Sequence, residues 1–134
     1  MAFSDFYRVG AHAVITNSEN KVLLLKASYA NQSWGLPGGG VDPDETILQA
    51  LLRECQEELG VTVQVAYLSG IYLHTDIQAH VSIFRCYLPE HANIVLSDEH
   101  LAYQFFAVDD LSPIQKQRVQ DCLDFKGQVR FSKF

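Results

Sequence analysis

The chain has 134 residues, 48% of them hydrophobic, which suffices for one compact core and excludes two ordinary domains. Sixteen acidic against ten basic residues give a net charge of −6, and without a basic run broad nucleic-acid binding is not expected. The first residues lack a basic stretch followed by an apolar one, and no apolar run is long enough to cross a bilayer, so neither secretion nor membrane insertion is indicated.

Cysteine usage favours a reducing setting. The three cysteines, Cys55, Cys86 and Cys122, are too few and too scattered for a disulfide framework or a metal knuckle. We therefore expect a cytoplasmic protein that consists of a single domain over residues 1–134. If its substrate is an anion, an acidic protein needs positive charge from elsewhere, and a divalent metal ion is an economical source.

The first half of the chain predicts two strands, a loop and a helix. Residues 9–16 and 21–25 are rich in β-formers, and the turn formers between them predict a hairpin connection. Residues 31–40 predict an irregular loop, because three glycines follow Pro37. A helix is expected next, with Asp42 as N-cap, Pro43 at the first helical position, Glu45 completing a capping box and Gly60 ending the helix.

The second half predicts further strands and one more helix. Residues 61–75, broken near Ser69, and residues 79–88 are β-rich, with Val81, Ile83 and Cys86 expected to be buried. Another strand is expected at residues 103–108, and Pro113 opens a helix that ends near residue 125. This order predicts an α/β fold in which a mixed sheet lies between helices on both faces.

The first helix carries an unusual cluster of carboxylates. Glu54, Glu57 and Glu58 could form an ordinary solvated face, but on a helical wheel Glu58 falls at the edge of the apolar stripe. Each like-charge pair at this spacing costs a few tenths of a kcal/mol, and Arg53 alone cannot neutralise them. Carboxylate oxygens suit Mg²⁺ or Mn²⁺, which often share phosphate ligands. The stripe expected to enter the core comprises Ile47, Leu48, Leu51, Leu52, Cys55 and Leu59.

The glycine run before this helix offers a second feature. Gly38, Gly39 and Gly40 would let backbone amides approach an anion just ahead of a helix N-terminus. A tight turn explains such a run about equally well. Its interest lies in its fixed distance along the chain from the carboxylates.

The glycines and the helix together resemble a known sequence signature. From Gly39 the chain reads Gly39, five residues, Glu45, seven residues, and then Arg53-Glu54-Cys55-Gln56-Glu57-Glu58-Leu59-Gly60-Val61. This matches the Nudix box, G-x5-E-x7-R-E-U-x-E-E-x-G-U, at every specified position, so the chain is identified as a member of the Nudix hydrolase superfamily. Cys55 occupies an apolar slot of the box, so it is expected to be a core residue.

The resemblance implies a Nudix α/β/α sandwich and a metal-dependent hydrolase. Such an enzyme cuts a diphosphate bond in a nucleoside diphosphate-linked or nucleoside triphosphate substrate, with Mg²⁺ or Mn²⁺ held by Glu54, Glu57 and Glu58. Arg53 would support these catalytic residues, and Gly38, Gly39 and Gly40 would meet the substrate. Glu54 or Glu99 would act as general base. We expect a small nucleotide-like substrate, no stable nucleic-acid or membrane partner, and a monomer or homodimer.

Some alternatives stay open at this point. A Nudix-fold module that binds a nucleotide or nucleotide sugar without cutting it has the same resemblance, although the intact box favours an enzyme. The proline and tyrosine that follow the box in ADP-ribose and dinucleoside polyphosphate hydrolases are replaced here by Ile77 and Gln78. Arg8 and His12 share one face of the first strand and are candidate substrate contacts.

Overall fold

The computed structural model describes residues 2–134 as two helices and eight strands. Two short 3-10 turns, at Ala30–Gln32 and Val108–Asp110, complete the regular structure. The strands and helices are β1 (Arg8–Val14), β2 (Val22–Ala27), β3 (Trp34–Gly35), β4 (Gly38–Gly40), α1 (Ile47–Leu59), β5 (Gln64–His74), β6 (Ala79–Tyr87), β7 (His100–Phe106), α2 (Pro113–Leu123) and β8 (Arg130–Lys133).

The strands are divided between two sheets. The larger sheet has the order β4-β1-β6-β5-β8, with β1 parallel to β6 and β5 parallel to β8. The smaller, antiparallel sheet has the order β3-β2-β7. The predicted α/β class with a mixed sheet is confirmed. The sequence analysis expected one sheet, whereas the structure has two. The predicted break in β5 is present as a register shift between Leu68 and Gly70.

The two helices pack on opposite faces of the larger sheet. Ala11 and Ala13 of β1 belong to the apolar cluster around α1, whereas Val14 belongs to the cluster around α2. Successive strand residues point to opposite faces, so the two clusters lie on either side of the sheet. The predicted covering of both faces is therefore confirmed. None of the helices in residues 2–134 combines the length and the apolar character that crossing a bilayer requires.

Helix α1 begins later than the sequence predicts. Thr46, and not Asp42, is its N-cap: the Thr46 hydroxyl accepts from the Gln49 N–H at 3.0 Å, and the Gln49 side chain accepts from the Thr46 N–H at 2.8 Å. Asp44 has a φ of 65°, outside the helical region, so residues 42–45 form a turn instead. Gly60 ends the helix in the left-handed conformation, as predicted.

The apolar stripe of α1 is only partly buried. Leu51, Cys55 and Leu59 are core residues, but Ile47 is 37% exposed and Leu48 is 46% exposed, so their assignment to the core was wrong. Residues 46–49 are all exposed, and burial of the helix begins at residue 50. The first turn of α1 therefore projects beyond the sheet on which the rest of the helix packs.

The glycine run is a strand and not the predicted irregular loop. In β4, Gly38, Gly39 and Gly40 pair antiparallel with residues 10–12 of β1. The short strand β8, which the sequence did not suggest, pairs with β5 at the far edge. As an edge strand, β4 brings the glycines beside α1, which packs against both β1 and β4.

Candidate active site

The site begins where α1 crosses the glycine strand β4. A Cβ atom on Gly39 would lie 2.6 Å from the Glu54 carboxyl carbon, so the Glu54 carboxylate rests directly on the Gly39 backbone. No other residue type leaves room for this contact. The fixed spacing of glycine and carboxylates in the sequence therefore corresponds to direct packing in space.

Glu58 is held from two sides. One of its carboxylate oxygens accepts from the Gly38 N–H at 2.6 Å, and the other lies 3.3 Å from His100 Nε2. Glu58 is only 6% exposed, which confirms its predicted place at the edge of the core. Burial raises the pKa of Glu58 to about 8. The hydrogen bond from the Gly38 N–H lowers this pKa, and the negative charges of Glu54, Glu99 and Glu57 raise it further.

His100 was not singled out by the sequence analysis. Its side chain is 7% exposed, burial lowers its pKa, and its Nε2 lies 3.3 Å from the Glu58 carboxylate. Its Nδ1 is buried and has no hydrogen-bond partner within the described residues. The contact was missed because β7, where His100 lies, is remote from α1 in sequence and is brought near it only by pairing with β2.

Arg53 ties the carboxylates to the segment before the helix. It donates to both carboxylate oxygens of Glu45, at 2.7 and 2.9 Å, and to Gly40 O at 3.0 Å. It also reaches Glu54 at 3.0 Å and Glu57 at 3.3 Å. The pairing lowers the pKa of Glu45 to about 2 and raises that of Arg53, so both stay charged. Arg53 thus links the segment before the helix to two of the box glutamates.

The box carboxylates provide the donor set that Mg²⁺ or Mn²⁺ prefers. Within residues 2–134, no group of three His, Cys, Asp or Glu side chains is already arranged as a metal site. Burial and the neighbouring carboxylates nevertheless raise the pKa of Glu54 as well as that of Glu58, with Arg53 opposing the shift at Glu54. A divalent cation would offset these charges, so the donors fit such an ion by their chemistry.

Glu99 lies near this cluster. Its charge contributes to the raised pKa values of both Glu54 and Glu58. Its backbone carbonyl accepts from the Ser28 N–H at 2.9 Å and from the Ser28 hydroxyl at 3.0 Å, while its side chain stays exposed. The loop before β7 thus has a fixed backbone and a free carboxylate.

His12 joins the site and Arg8 does not. A cleft of about 150 Å³ is lined by His12 together with Tyr29, Gly38, Glu58 and His100, among others. His12 donates Nδ1–H to Leu36 O at 3.1 Å, and burial lowers its pKa to about 4. Arg8 is exposed at the other end of β1 and does not line this cleft.

The close fit at Gly39 leads to a test with a matched control. We expect Gly39→Ala to displace the Glu54 carboxylate and to weaken divalent-metal binding by about 10- to 100-fold, the range typical of supporting residues. At Gly40 a Cβ meets nothing within 4 Å, so Gly40→Ala should bind metal as the wild type does. Manganese titration followed by electron paramagnetic resonance measures both affinities. Equal weakening in the two variants would contradict the role of Gly39.

Comparison with known proteins places this geometry in context. The sequence model of the NUDIX domain family matches residues 6–123 of this chain. A MutT-like protein of Streptomyces ambofaciens is 30% identical over 125 residues, which cover 90% of this chain and 80% of that protein. An RNA pyrophosphohydrolase of Histophilus somni is 42% identical over 72 residues, or 52% of this chain and 37% of that protein.

The fold has a close counterpart among solved structures. The crystal structure of an ADP-ribose pyrophosphatase from Streptococcus suis superimposes with a TM-score of 0.79 and covers 94% of this chain and 99% of that chain. Its sequence identity is 23%, so the likeness concerns the fold.

Proposed function

The chain belongs to the NUDIX family, and we propose that it hydrolyses a diphosphate bond in a nucleoside diphosphate-linked or nucleoside triphosphate substrate with a divalent metal ion, Mg²⁺ or Mn²⁺. The observation that carries the proposal is the packing of two box glutamates against the glycine strand, with Glu54 on Gly39 and Glu58 bound to Gly38. One of the relatives described above is named as an RNA pyrophosphohydrolase, which supports the same chemistry.

Glu54, Glu57 and Glu58 are the residues that would hold the metal ion. When bound, such an ion supplies positive charge that stabilises the transition state and lowers the pKa of the attacking water. Gly38 and His100 would orient Glu58, and Arg53 would orient Glu54 and Glu57. Because these contacts are already formed, the carboxylates are positioned before substrate arrives.

The chemical step of the proposed hydrolysis is a displacement at phosphorus. The water oxygen forms a bond to phosphorus, the bond to the leaving phosphate oxygen breaks, and a carboxylate takes the water proton. Glu54 and Glu99 are the two candidates for this base. The Gly38 N–H is already bonded to Glu58, so among the glycines it is Gly39 and Gly40 that we expect to lie nearest the substrate phosphates.

A hydrolysis screen tests the proposed function. The panel contains nucleoside triphosphates, oxidised nucleotides, nucleotide sugars, ADP-ribose, dinucleoside polyphosphates and RNA with a 5′-triphosphate, each with Mg²⁺, with Mn²⁺ and with EDTA. We expect cleavage of at least one compound that contains a diphosphate bond, and its loss in EDTA. Tight nucleotide binding without any cleavage would instead favour a regulatory binding module and contradict the proposal.

The mechanism leaves no role for a thiol. Cys55, Cys86 and Cys122 are fully buried, and burial raises the pKa of each, that of Cys86 to about 12. Iodoacetamide applied to the folded protein is therefore expected to leave these cysteines and the hydrolysis rate unchanged. Mass spectrometry counts the modified thiols, with urea-unfolded protein as the control that reacts fully. Loss of turnover in folded, alkylated protein would contradict the metal-assisted mechanism.

A further inference from the structure

A separate cavity lies at the C-terminal end of α2, on the face of the larger sheet opposite to α1. Arg85 in its wall follows Ile83 of the α2 cluster by two residues, so both side chains point to the α2 face. The volume is about 460 Å³, and no lining residue is shared with the active-site cleft. Small-molecule sites usually have volumes of about 300–1,000 Å³. The lining includes Tyr67, Arg85, Tyr87, Val108, Leu123 and Asp124.

Arg85 is a buried cation in the wall of this cavity. It is 9% exposed, and its Nη1 donates to Val14 O at 3.0 Å and to Cys86 O at 3.2 Å. Its Nη2 donates to the Thr16 hydroxyl at 2.7 Å. A guanidinium has five N–H groups, so Nε–H and one Nη2–H are left over. Within residues 2–134 no carboxylate pairs with Arg85, although a buried charge usually has a partner of opposite charge.

The surroundings of Arg85 are already fixed. The Tyr87 ring covers one face of the guanidinium, which lies 4.6 Å from the ring centroid, so a ligand can approach only the other face or the edge. Tyr67 donates its hydroxyl to Cys122 O at 2.7 Å, and its ring stacks on Phe125 at 4.3 Å. Two N–H groups on neighbouring nitrogen atoms of a guanidinium suit a carboxylate, which accepts them side by side.

The cavity also has a negative end. Asp124 is the exposed C-cap residue of α2, and in the part of the chain that the structure describes its carboxylate forms no ion pair. The C-terminus of a helix carries partial negative charge, which favours a cation at the same place. Arg85 and Asp124 line one cavity without contacting each other. A ligand with an anionic and a cationic group can therefore satisfy both side chains.

We propose that this cavity binds a small zwitterion of the α-amino-acid type. Its carboxylate accepts from the Nε–H and Nη2–H groups of Arg85, and its ammonium group donates to Asp124. An apolar side chain on the ligand packs against Val108 and Leu123. A simple anion such as phosphate lacks the cationic group and is repelled by Asp124. This site requires neither metal nor nucleotide, so the inference goes beyond the proposed hydrolysis and does not depend on it.

Ligands that lack one of the two charged groups test the proposal. Calorimetry near neutral pH compares L-leucine with 4-methylpentanoate, which has no ammonium group, and with 3-methylbutylamine, which has no carboxylate. L-methionine, L-phenylalanine and inorganic phosphate are titrated in parallel. We expect at least one amino acid to bind, and leucine to bind at least about tenfold more tightly than either of its analogues, because each analogue loses a charge-assisted contact.

Three results of these titrations would overturn the proposal. The first is that none of the three amino acids shows saturable binding. The second is equal binding of leucine and 4-methylpentanoate, which would reduce the cavity to a carboxylate site. The third is tighter binding of phosphate than of any amino acid, which would make it a general anion site.

Asp124→Asn removes the negative end of the cavity alone. Because Asp124 is exposed, we expect the variant to fold, which circular dichroism checks. Its affinity for leucine should fall about tenfold, toward that of 4-methylpentanoate, whose own affinity should not fall. Asp109→Asn is the matched control, since Asp109 pairs with Lys116 and does not line the cavity. Wild-type leucine affinity in Asp124→Asn would contradict the assigned contact.

Nuclear magnetic resonance locates the bound amino acid without any change at Arg85, which also braces β1 through Val14. We expect leucine to shift the backbone amide signals of Tyr87 and Leu123, which line the cavity. The signals of Gly38 and His100, which line the active-site cleft, should stay in place. Shifts confined to the active-site cleft would overturn the proposal, because leucine would then bind at the other site.

Discussion

Replacing Glu57 and Glu58 together by glutamine is expected to abolish turnover and most divalent-metal affinity. Glutamine keeps the shape of each side chain and an acceptor for the Gly38 N–H, but it removes two carboxylates that could bind the metal ion. Loss of direct ligands should weaken binding by more than the 10- to 100-fold typical of supporting residues. The fold should persist, because burial already disfavours the charged form of Glu58.

Calorimetric titration with Mg²⁺ and Mn²⁺ measures the metal affinity, and circular dichroism confirms that the variant is folded. Glu19→Gln is the control, since Glu19 is an exposed glutamate that pairs with Lys21 away from α1. Removal of metal from the wild type by EDTA should reproduce the loss of turnover. Equal metal affinity in the wild type and the doubly substituted variant would remove the box glutamates from the metal site.

The sequence predicts the chemistry of α1 better than its boundaries. The helical wheel places Glu58 at the edge of the core, and the structure buries it there. The same wheel wrongly assigns Ile47 and Leu48 to the core, because periodicity gives the direction of a side chain but not the point at which the helix leaves the sheet. The family and the α/β fold are confirmed. The family could be predicted because the box specifies nine positions within one continuous segment of the sequence.

Features that depend on distant segments could not be predicted. The glycine run looks irregular in sequence, since its strand character comes from pairing with β1. His100 meets Glu58 only because β7 pairs with β2, so nothing near Glu58 in the sequence announces the contact. Arg8 and His12 share a strand face by parity, yet the cleft reaches His12 alone of the two. Local patterns identify side chains that can do chemistry, whereas tertiary pairing decides which of them meet.

Replacing Glu99 by glutamine is expected to lower kcat by about 10²-fold or more while leaving metal affinity largely intact, because of the two candidates we propose Glu99 as the general base. Glu54 rests on the Gly39 backbone and is bonded to Arg53, which fits a rigid metal ligand. A carboxylate bound directly to a dication is held as an anion and is a poor proton acceptor. Glu99 has a free, exposed carboxylate on an anchored loop, which is the arrangement we expect of a base that is not itself a metal ligand.

The two roles separate when both variants are measured with the same substrate. Glu54→Gln should weaken metal binding as well as turnover, whereas Glu99→Gln should affect turnover alone. Asp98→Asn tests whether any change of charge in the loop has the same effect, since Asp98 is the exposed neighbour of Glu99. Single-turnover kinetics at saturating metal isolates the chemical step from product release. If Glu99→Gln turns over at nearly the wild-type rate, and Glu54→Gln binds metal normally but is inactive, then Glu54 is the base and the assignment is reversed.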